Sequence, residues 1–114
     1  MARQELGPLQ RKWVEALRSG EYEQGKRFLK ADDAYCCLGV ACIAFGIPVP
    51  SSAARLPEPV QFGMKFHSAY GLLKGDKLDG ELRLDFANDY ANSTFERIAD
   101  FVEDHPEAVF TEPA

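Results

Sequence analysis

The sequence has little of what marks disulfide-stabilised or metal-binding proteins. Its 114 residues include three cysteines and two histidines. Three cysteines are few, and an odd number cannot all pair. This argues against a disulfide scaffold and is typical of a protein in a reducing compartment. Cys36, Cys37 and Cys42 share one apolar segment, and no second Cys or His pair stands at the spacing of a zinc site. We therefore expect no bound metal and no cofactor.

Long apolar runs are also missing. Residues 34–54 carry no formal charge, but only residues 34–47 are densely apolar, which is shorter than the ~20 residues that a bilayer crossing needs. The opening residues contain no apolar core of a secretory signal. The sequence therefore predicts a cytosolic protein without a membrane segment.

Familiar catalytic motifs are absent. The sequence has no G-x-S-x-G, no G-x-x-x-x-G-K-[ST] and no G-x-G-x-x-G pattern, so nothing indicates a serine nucleophile or a phosphate-binding glycine loop. A cysteine-dependent enzyme stays open as an alternative. Cys36 would open a helix whose dipole lowers the thiol pKa, with His67 and Asp89 completing a triad. Our main expectation is that the chain is not an enzyme.

Positive side chains prevail in the first two thirds of the chain, and negative ones prevail in the last third. The net charge is −5; residues 1–75 hold ten basic and seven acidic side chains, and residues 76–114 hold three and eleven. A protein that grips duplex nucleic acid through a broad surface is normally basic, so we do not expect that role. The asymmetry predicts either two faces that attract each other or an anion-accepting patch opposite an acidic face.

Hydrophobic periodicity predicts two helices in the first half. In residues 8–19, a proline opens the segment, and Leu9, Trp13, Ala16 and Leu17 fall on one face. Residues 35–45 are apolar all round, as in a central helix, and Gly46 provides the expected stop. We expect Trp13 and the three cysteines to lie in the core.

Two more helices are predicted further along. Residues 58–66 can form a short third helix. Ser93 and Glu96 match a capping box at the start of the last helix, which Pro106 ends. After it, Val109 and Phe110 are expected to fold back as an apolar anchor.

Short alternating segments predict the β structure. Residues 26–29 resemble a short strand, although so short a run fits a loop equally well, and residues 82–86 alternate between apolar and charged side chains. We expect these two segments to pair. The predicted fold is a small, mostly helical α+β single domain over residues 1–114 with a short two-stranded β element.

One polar constellation is a candidate ligand site. Two glycines between residues 19 and 26 let backbone amides approach a ligand. A cation pair, a stacking ring and an amide nearby are the groups that a nucleotide-like anion needs. A second polar segment, residues 88–92, is predicted to be a loop that could supply the opposite wall. An ordinary solvated turn is the alternative for both segments. The predicted ligand-binding residues are Arg18, Tyr22, Gln24, Lys26, Asn88 and Asp89.

Several motifs in order resemble a family of small phage and prophage proteins. The combination of W-x-x-A-L-R-S-G, C-C-L-G-V-x-C and F-x-x-I-A-D spans most of the chain; residues 51–52 and 71–80 depart from the pattern. The resemblance implies a phage origin but no reaction. The segments that carry it are residues 13–22, 24–26, 35–42, 56–57, 88–89 and 95–103.

By analogy with small phage proteins that act by occupying a host component, the first hypothesis is a non-enzymatic binder in the host cytosol. Its expected ligand is a small, nucleotide-like anion. The alternative is a protein inhibitor of a host enzyme or defence complex that acts through an acidic face. The wholly apolar helix also leaves self-association open. The acidic face would comprise Asp100, Glu103, Asp104 and Glu107.

Overall fold

Short helices and a very small sheet make up the architecture. A computed structural model describes residues 4–114. The helices are α1 (Pro8–Arg18), α2 (Cys37–Phe45), α3 (Glu58–Gly63), α4 (Leu84–Asp89), α5 (Phe95–Asp104) and α6 (Pro106–Val109), and the strands are β1 (Glu23–Gln24), β2 (Lys30–Ala31) and β3 (Ala34–Tyr35). The predicted α+β class is confirmed.

Helix α2 forms the centre of the core, as its uniformly apolar sequence predicts. It packs against α1, α3 and α4, and its three cysteines are buried. Trp13 on α1 is fully buried, and its indole Nε1 donates a 2.9 Å hydrogen bond to the Cys37 carbonyl at the start of α2. The expectation that these residues serve packing is confirmed.

The bounds of α1 and α2 follow local signals. Helix α1 ends one residue before its predicted last residue, with Ser19 as C-cap. Helix α2 begins at Cys37 because Ala34–Tyr35 belongs to β3 and Cys36 is the N-cap. It stops at Gly46, which adopts the left-handed conformation with φ 97°, where glycine lacks the steric penalty of other residues.

Helix α3 is shorter than predicted, because the chain turns at Lys65 with a positive φ of 65°. Phe66 then forms an antiparallel bridge with Phe110. Both rings contact Trp13, at centroid distances of 5.2 and 5.9 Å. Phe110 is buried, so the prediction that it anchors the end of the chain is confirmed.

The N-terminus of α5 is capped one residue later than predicted. Thr94, not Ser93, is the N-cap, and its Oγ1 accepts a 3.1 Å hydrogen bond from the Arg97 amide. Ser93 is buried, and its hydroxyl donates to Asp79 Oδ2 at 2.6 Å. The predicted capping box is therefore wrong, because the serine is engaged by a partner distant in sequence.

Both predicted strands are wrong in position. The sheet has the order β1-β3-β2, with β1 parallel and β2 antiparallel to β3. Residues 26–29 form the bend between β1 and β2, where Arg27 has a φ of 74°, outside the extended region. The predicted two-stranded element is thus a three-stranded one drawn wholly from residues 23–35.

Residues 82–86 do not form a strand, because α4 begins at Leu84. Leu84, Ala87 and Asn88 are buried while Leu82 is exposed, which matches the helical spacing i, i+3, i+4. Short apolar patterns of this length fit both periods. Asn88 and Asp89, predicted to lie in a loop, form the last turn of α4.

Within the described residues, none of the helices has the length and apolar character needed to cross a membrane.

Gly39 provides a test of the packing between α2 and the segment before β2. A Cβ at this position would lie 1.9 Å from the Leu29 carbonyl oxygen, which belongs to the backbone and cannot rotate away. We expect Gly39→Ala to lower the free energy of unfolding by about 1–3 kcal/mol, the usual cost of overpacking. Chemical denaturation measures it. Stabilisation, which helix propensity alone predicts at about 0.5–1 kcal/mol, would contradict the close approach.

Candidate functional site

Two polar segments that are far apart in sequence meet at one place. The basic loop, residues 25–30, joins β1 to β2 and carries Lys26, Arg27 and Lys30. The α4 end segment, residues 88–92, lies against it. Residues 24, 25, 26 and 27 each make a hydrogen bond to a side chain of the α4 end segment. The basic loop is therefore held residue by residue at its β1 end.

The Asn88 carboxamide is the centre of this contact. Asn88 is fully buried. Its Oδ1 accepts from Gln24 Nε2 at 2.8 Å and from the Cys37 amide at 3.2 Å. Its Nδ2 donates to the Gly25 carbonyl at 2.8 Å and to Asp89 Oδ1 at 2.9 Å. One side chain thus joins β1, the start of α2 and the end of α4, with every polar atom partnered.

Gln24 has an internal role as well. Besides its bond to Asn88, its Nε2 donates to the Ser93 carbonyl at 2.7 Å. The amide of Gln24 therefore ties β1 to the residues just before α5. Its donor groups are used within the fold.

Asp89 and Asn92 hold the next two residues of the loop. Asp89 Oδ1 accepts from the Arg27 amide at 3.0 Å, and Asn92 Oδ1 accepts from Lys26 Nζ. The bond to Asp89 fixes the backbone of Arg27 in its left-handed conformation, which is uncommon for a residue with a Cβ. The bond to Asp89 turns the backbone of the basic loop inward, and the bond to Asn92 holds the Lys26 side chain against the α4 end segment.

The β2 end of the basic loop is fixed by backbone bonds and by burial. Leu29 is fully buried, and its amide donates to the Ala53 carbonyl at 2.7 Å. The Lys30 carbonyl accepts from the Ser52 amide at 3.1 Å. The loop is thus attached at both ends, so its exposed side chains project from a defined backbone.

The cations of this loop have no anionic partner in residues 4–114. No carboxylate oxygen there lies within 4.0 Å of the side-chain nitrogens of Lys26, Arg27 or Lys30. Lys30 Nζ lies 5.8 Å from the centroid of the Tyr35 ring. Five consecutive residues span at most ~14 Å, so three cations without a salt-bridge partner lie close together.

Arg18 does not join this group, contrary to the sequence-based prediction. It lies at the end of α1, where its guanidinium contacts Glu96, Asp100 and Glu103 on α5. Helices α1 and α5 pack together, so the nearest carboxylates to Arg18 belong to the acidic face. The two oppositely charged halves of the sequence attract each other at this point.

Tyr22 precedes the loop but offers little free ring surface. It is half-buried against the core, and its ring meets that of Tyr35 edge-on at a centroid distance of 5.8 Å. The predicted ligand residues are therefore divided. Gln24, Lys26, Asn88 and Asp89 lie together, Tyr22 stands beside them, and Arg18 is elsewhere.

Residue-level prediction missed Arg27, Phe28, Lys30 and Asn92. The sequence signal was the run K-R-F-L-K over residues 26–30, with its cations around one aromatic ring. Its assignment to a strand hid that signal, because alternate residues of a strand point to opposite faces.

The geometry gives no support to the cysteine-dependent alternative. Burial raises the pKa of the Cys36 thiol to about 11 and outweighs the lowering by the Gly39 and Leu38 amides at the helix start. His67 lies 3.2 Å from the Glu107 carbonyl, while Asp89 is engaged by the basic loop. No contact within residues 4–114 links Cys36 to His67.

A groove of about 450 Å³ opens away from the basic loop. None of the predicted ligand-binding residues lines it. Its charged side chains are mostly carboxylates, which do not suit an anion. The lining residues are Gln4, Glu5, Leu6, Arg11, Val14, Glu15, Glu103 and Pro106. No group of three or more His, Cys, Asp or Glu side chains in the described part of the chain could hold a metal ion.

Comparison with known proteins adds one observation about the first third of the chain. Residues 7–46 match the family model of a domain of unknown function, DUF8296. The match extends from just before α1 to the C-cap of α2 and includes the whole sheet and the basic loop. No curated protein and no solved structure matches the chain.

A carboxylate in place of the buried amide would test the junction at Asn88. Asn88→Asp removes both N–H donors and places negative charge beside Asp89. We expect a loss of about 3–5 kcal/mol in the free energy of unfolding at pH 7, as for other unpaired buried charges. Burial raises the folded-state pKa of the new carboxyl above its unfolded value, so the loss should grow as the pH rises from 4 to 7.

The matched control is Asn92→Asp, which keeps the acceptor for Lys26 at an exposed position. Its effect should stay within about 0.5 kcal/mol. Urea unfolding of both variants at several pH values measures these quantities. Equal stabilities of the two variants would contradict the account of Asn88.

Proposed function

We propose that this chain is a non-enzymatic binding protein that takes a small anionic, phosphate-bearing ligand on its basic loop. The observation that carries the proposal is the lack of any carboxylate within 4.0 Å of Lys26, Arg27 and Lys30 in residues 4–114. Like charges repel each other, and a bound anion would offset the repulsion among these three cations.

Some other cations in residues 4–114 have salt-bridge partners, and others, like those of the loop, have none. The cations outside the loop without such a partner are Arg11, Lys12, Arg55, Lys74 and Lys77. Arg18, Lys65, Arg83 and Arg97 each lie within 4.0 Å of at least one carboxylate. The net charge of −5 means that carboxylates are plentiful. What distinguishes the loop is that three cations without a carboxylate partner fall within five consecutive residues, and this clustering supports a binding role for it.

The ordered backbone of the loop supports the same proposal. The Gly25 amide donates to the Tyr35 carbonyl at 2.7 Å, and the Arg27 and Leu29 amides are bonded to Asp89 and Ala53. Little backbone entropy is left to lose when a ligand binds, which favours affinity. Asp89 then acts by holding the Arg27 backbone, and Asn88 acts by holding Gly25.

Binding accounts for the chemistry of the chain better than catalysis does. Burial raises the pKa of all three thiols, and the carboxamides of Gln24 and Asn88 are engaged in structural bonds. Together with the resemblance to small phage proteins, this supports an accessory role. The protein would bind an anionic ligand in the host cytosol and so sequester or block a host component.

The acidic face is the second candidate, as an inhibitory surface for a host protein. Its exposed carboxylates favour a basic partner. Arg18, however, already contacts Glu96, Asp100 and Glu103 and offsets part of that charge. Asp104 and Glu107 lie outside this cluster and remain exposed. The basic loop is therefore the better-supported site.

Neutralisation of the loop tests the proposal. We compare the triple variant Lys26→Gln, Arg27→Gln, Lys30→Gln with a control that changes exposed Lys12, Lys74 and Lys77 to Gln. Both remove three positive charges, so the two variants have the same net charge and differ in where the charge is lost. Calorimetric titration with pyrophosphate should show affinity at least about tenfold weaker for the loop variant, a loss of about 1.4 kcal/mol, and less than about twofold weaker for the control.

Thermal melting confirms that both variants are folded before titration. Equal loss of affinity in the two variants would show that pyrophosphate responds to total charge, not to the loop. Absence of pyrophosphate binding by the unmodified protein would reject the proposal outright.

A further inference from the structure

One aromatic ring interrupts the cations of the basic loop. Phe28 is 37% exposed, whereas its neighbour Leu29 is fully buried. Leu29 anchors the loop in the core, and Phe28 remains at the surface. Phe62, Leu82 and Tyr90 are exposed as well, but Phe28 is the one of these side chains that lies between the cations of the basic loop.

The Phe28 ring has no aromatic or cationic partner in the described part of the chain. In residues 4–114 it makes no stacked or edge-on ring contact and no cation–π contact. Tyr22 and Tyr35, by contrast, are half-buried and occupied with each other. Phe28 is therefore an accessible ring on the basic loop itself, while Tyr90 of the α4 end segment is also exposed but packs against Phe86.

Phe28 also lies at the right place along the chain. It directly follows Arg27 and stands two residues before Lys30, so its Cα lies within ~7 Å of either Cα. Long basic side chains can reach back over that distance to a phosphate while a planar group covers the ring. A positive surface with an aromatic platform is the arrangement used for bases of single-stranded nucleic acids.

We propose that the ligand is a nucleotide whose base stacks on Phe28 while its phosphates contact the loop cations. This inference rests on the proposed function and names the ligand class of the same site. Phe28 determines specificity, and Lys26, Arg27 and Lys30 supply the attraction for phosphate. The negative net charge of the protein favours a mononucleotide over a long polyanion.

The test compares two probes that share a diphosphate group, adenosine diphosphate and pyrophosphate. Phe28→Ala should weaken binding of adenosine diphosphate at least about fivefold, the lower end of the measured effect of losing one stacked base. Pyrophosphate affinity should change by less than about twofold. The matched control is Phe62→Ala, which removes a 61% exposed ring on α3 and should alter neither affinity.

Phe28→Leu separates stacking from simple apolar contact. It keeps an apolar side chain but removes the π face, so adenosine diphosphate should still bind more weakly than to the unmodified protein. Unchanged affinity in this variant would overturn the assignment of stacking.

The outcomes distinguish this inference from the proposed function. One outcome is that pyrophosphate binding depends on the loop cations but the unmodified protein binds both probes with equal affinity. This outcome would overturn the nucleotide assignment and leave the anion site intact. Equal weakening of both probes by Phe28→Ala would show that the ring only shapes the loop. Failure of both probes to bind the unmodified protein would reject both proposals.

Discussion

The buried carboxamide of Asn88 is the interaction on which the candidate site depends. An amide in the core is costly unless each of its polar atoms has a partner, and here Gln24, Gly25, Cys37 and Asp89 provide those partners. These partners come from β1, the start of α2 and the end of α4. The requirement to satisfy one amide therefore fixes the relative positions of three segments.

That constraint determines what the basic loop can present. Its backbone is turned inward by bonds to Asp89 and Ala53, and Leu29 is buried beneath it. The side chains that do not take part in these contacts are cations and one aromatic ring. We propose that this loop, whose cations have no carboxylate partner in residues 4–114, serves as a binding surface.

The sequence was most informative where a signal is local. Long apolar periodicity and a glycine stop predicted α1 and α2 almost to the residue. It failed where the deciding contact is distant. The strand over residues 26–29 could not be rejected without the bond between Asp89 and the Arg27 amide, and Arg18 could not be placed without knowing that α1 packs on α5. Four-residue patterns also fit both helix and strand periods.

The most direct test of the central claim is hydrogen exchange at the Cys37 amide in the unmodified protein and in Asn88→Ala. A first-turn amide has no partner within its helix, so the bond to Asn88 should account for its protection. The Val40 amide, which donates to the Cys36 carbonyl at 3.2 Å, reports the general stability of α2. We predict that the variant accelerates exchange at Cys37 at least about tenfold relative to Val40, since loss of about 1.4 kcal/mol of local protection has that effect. An unchanged ratio of the two rates would contradict the account.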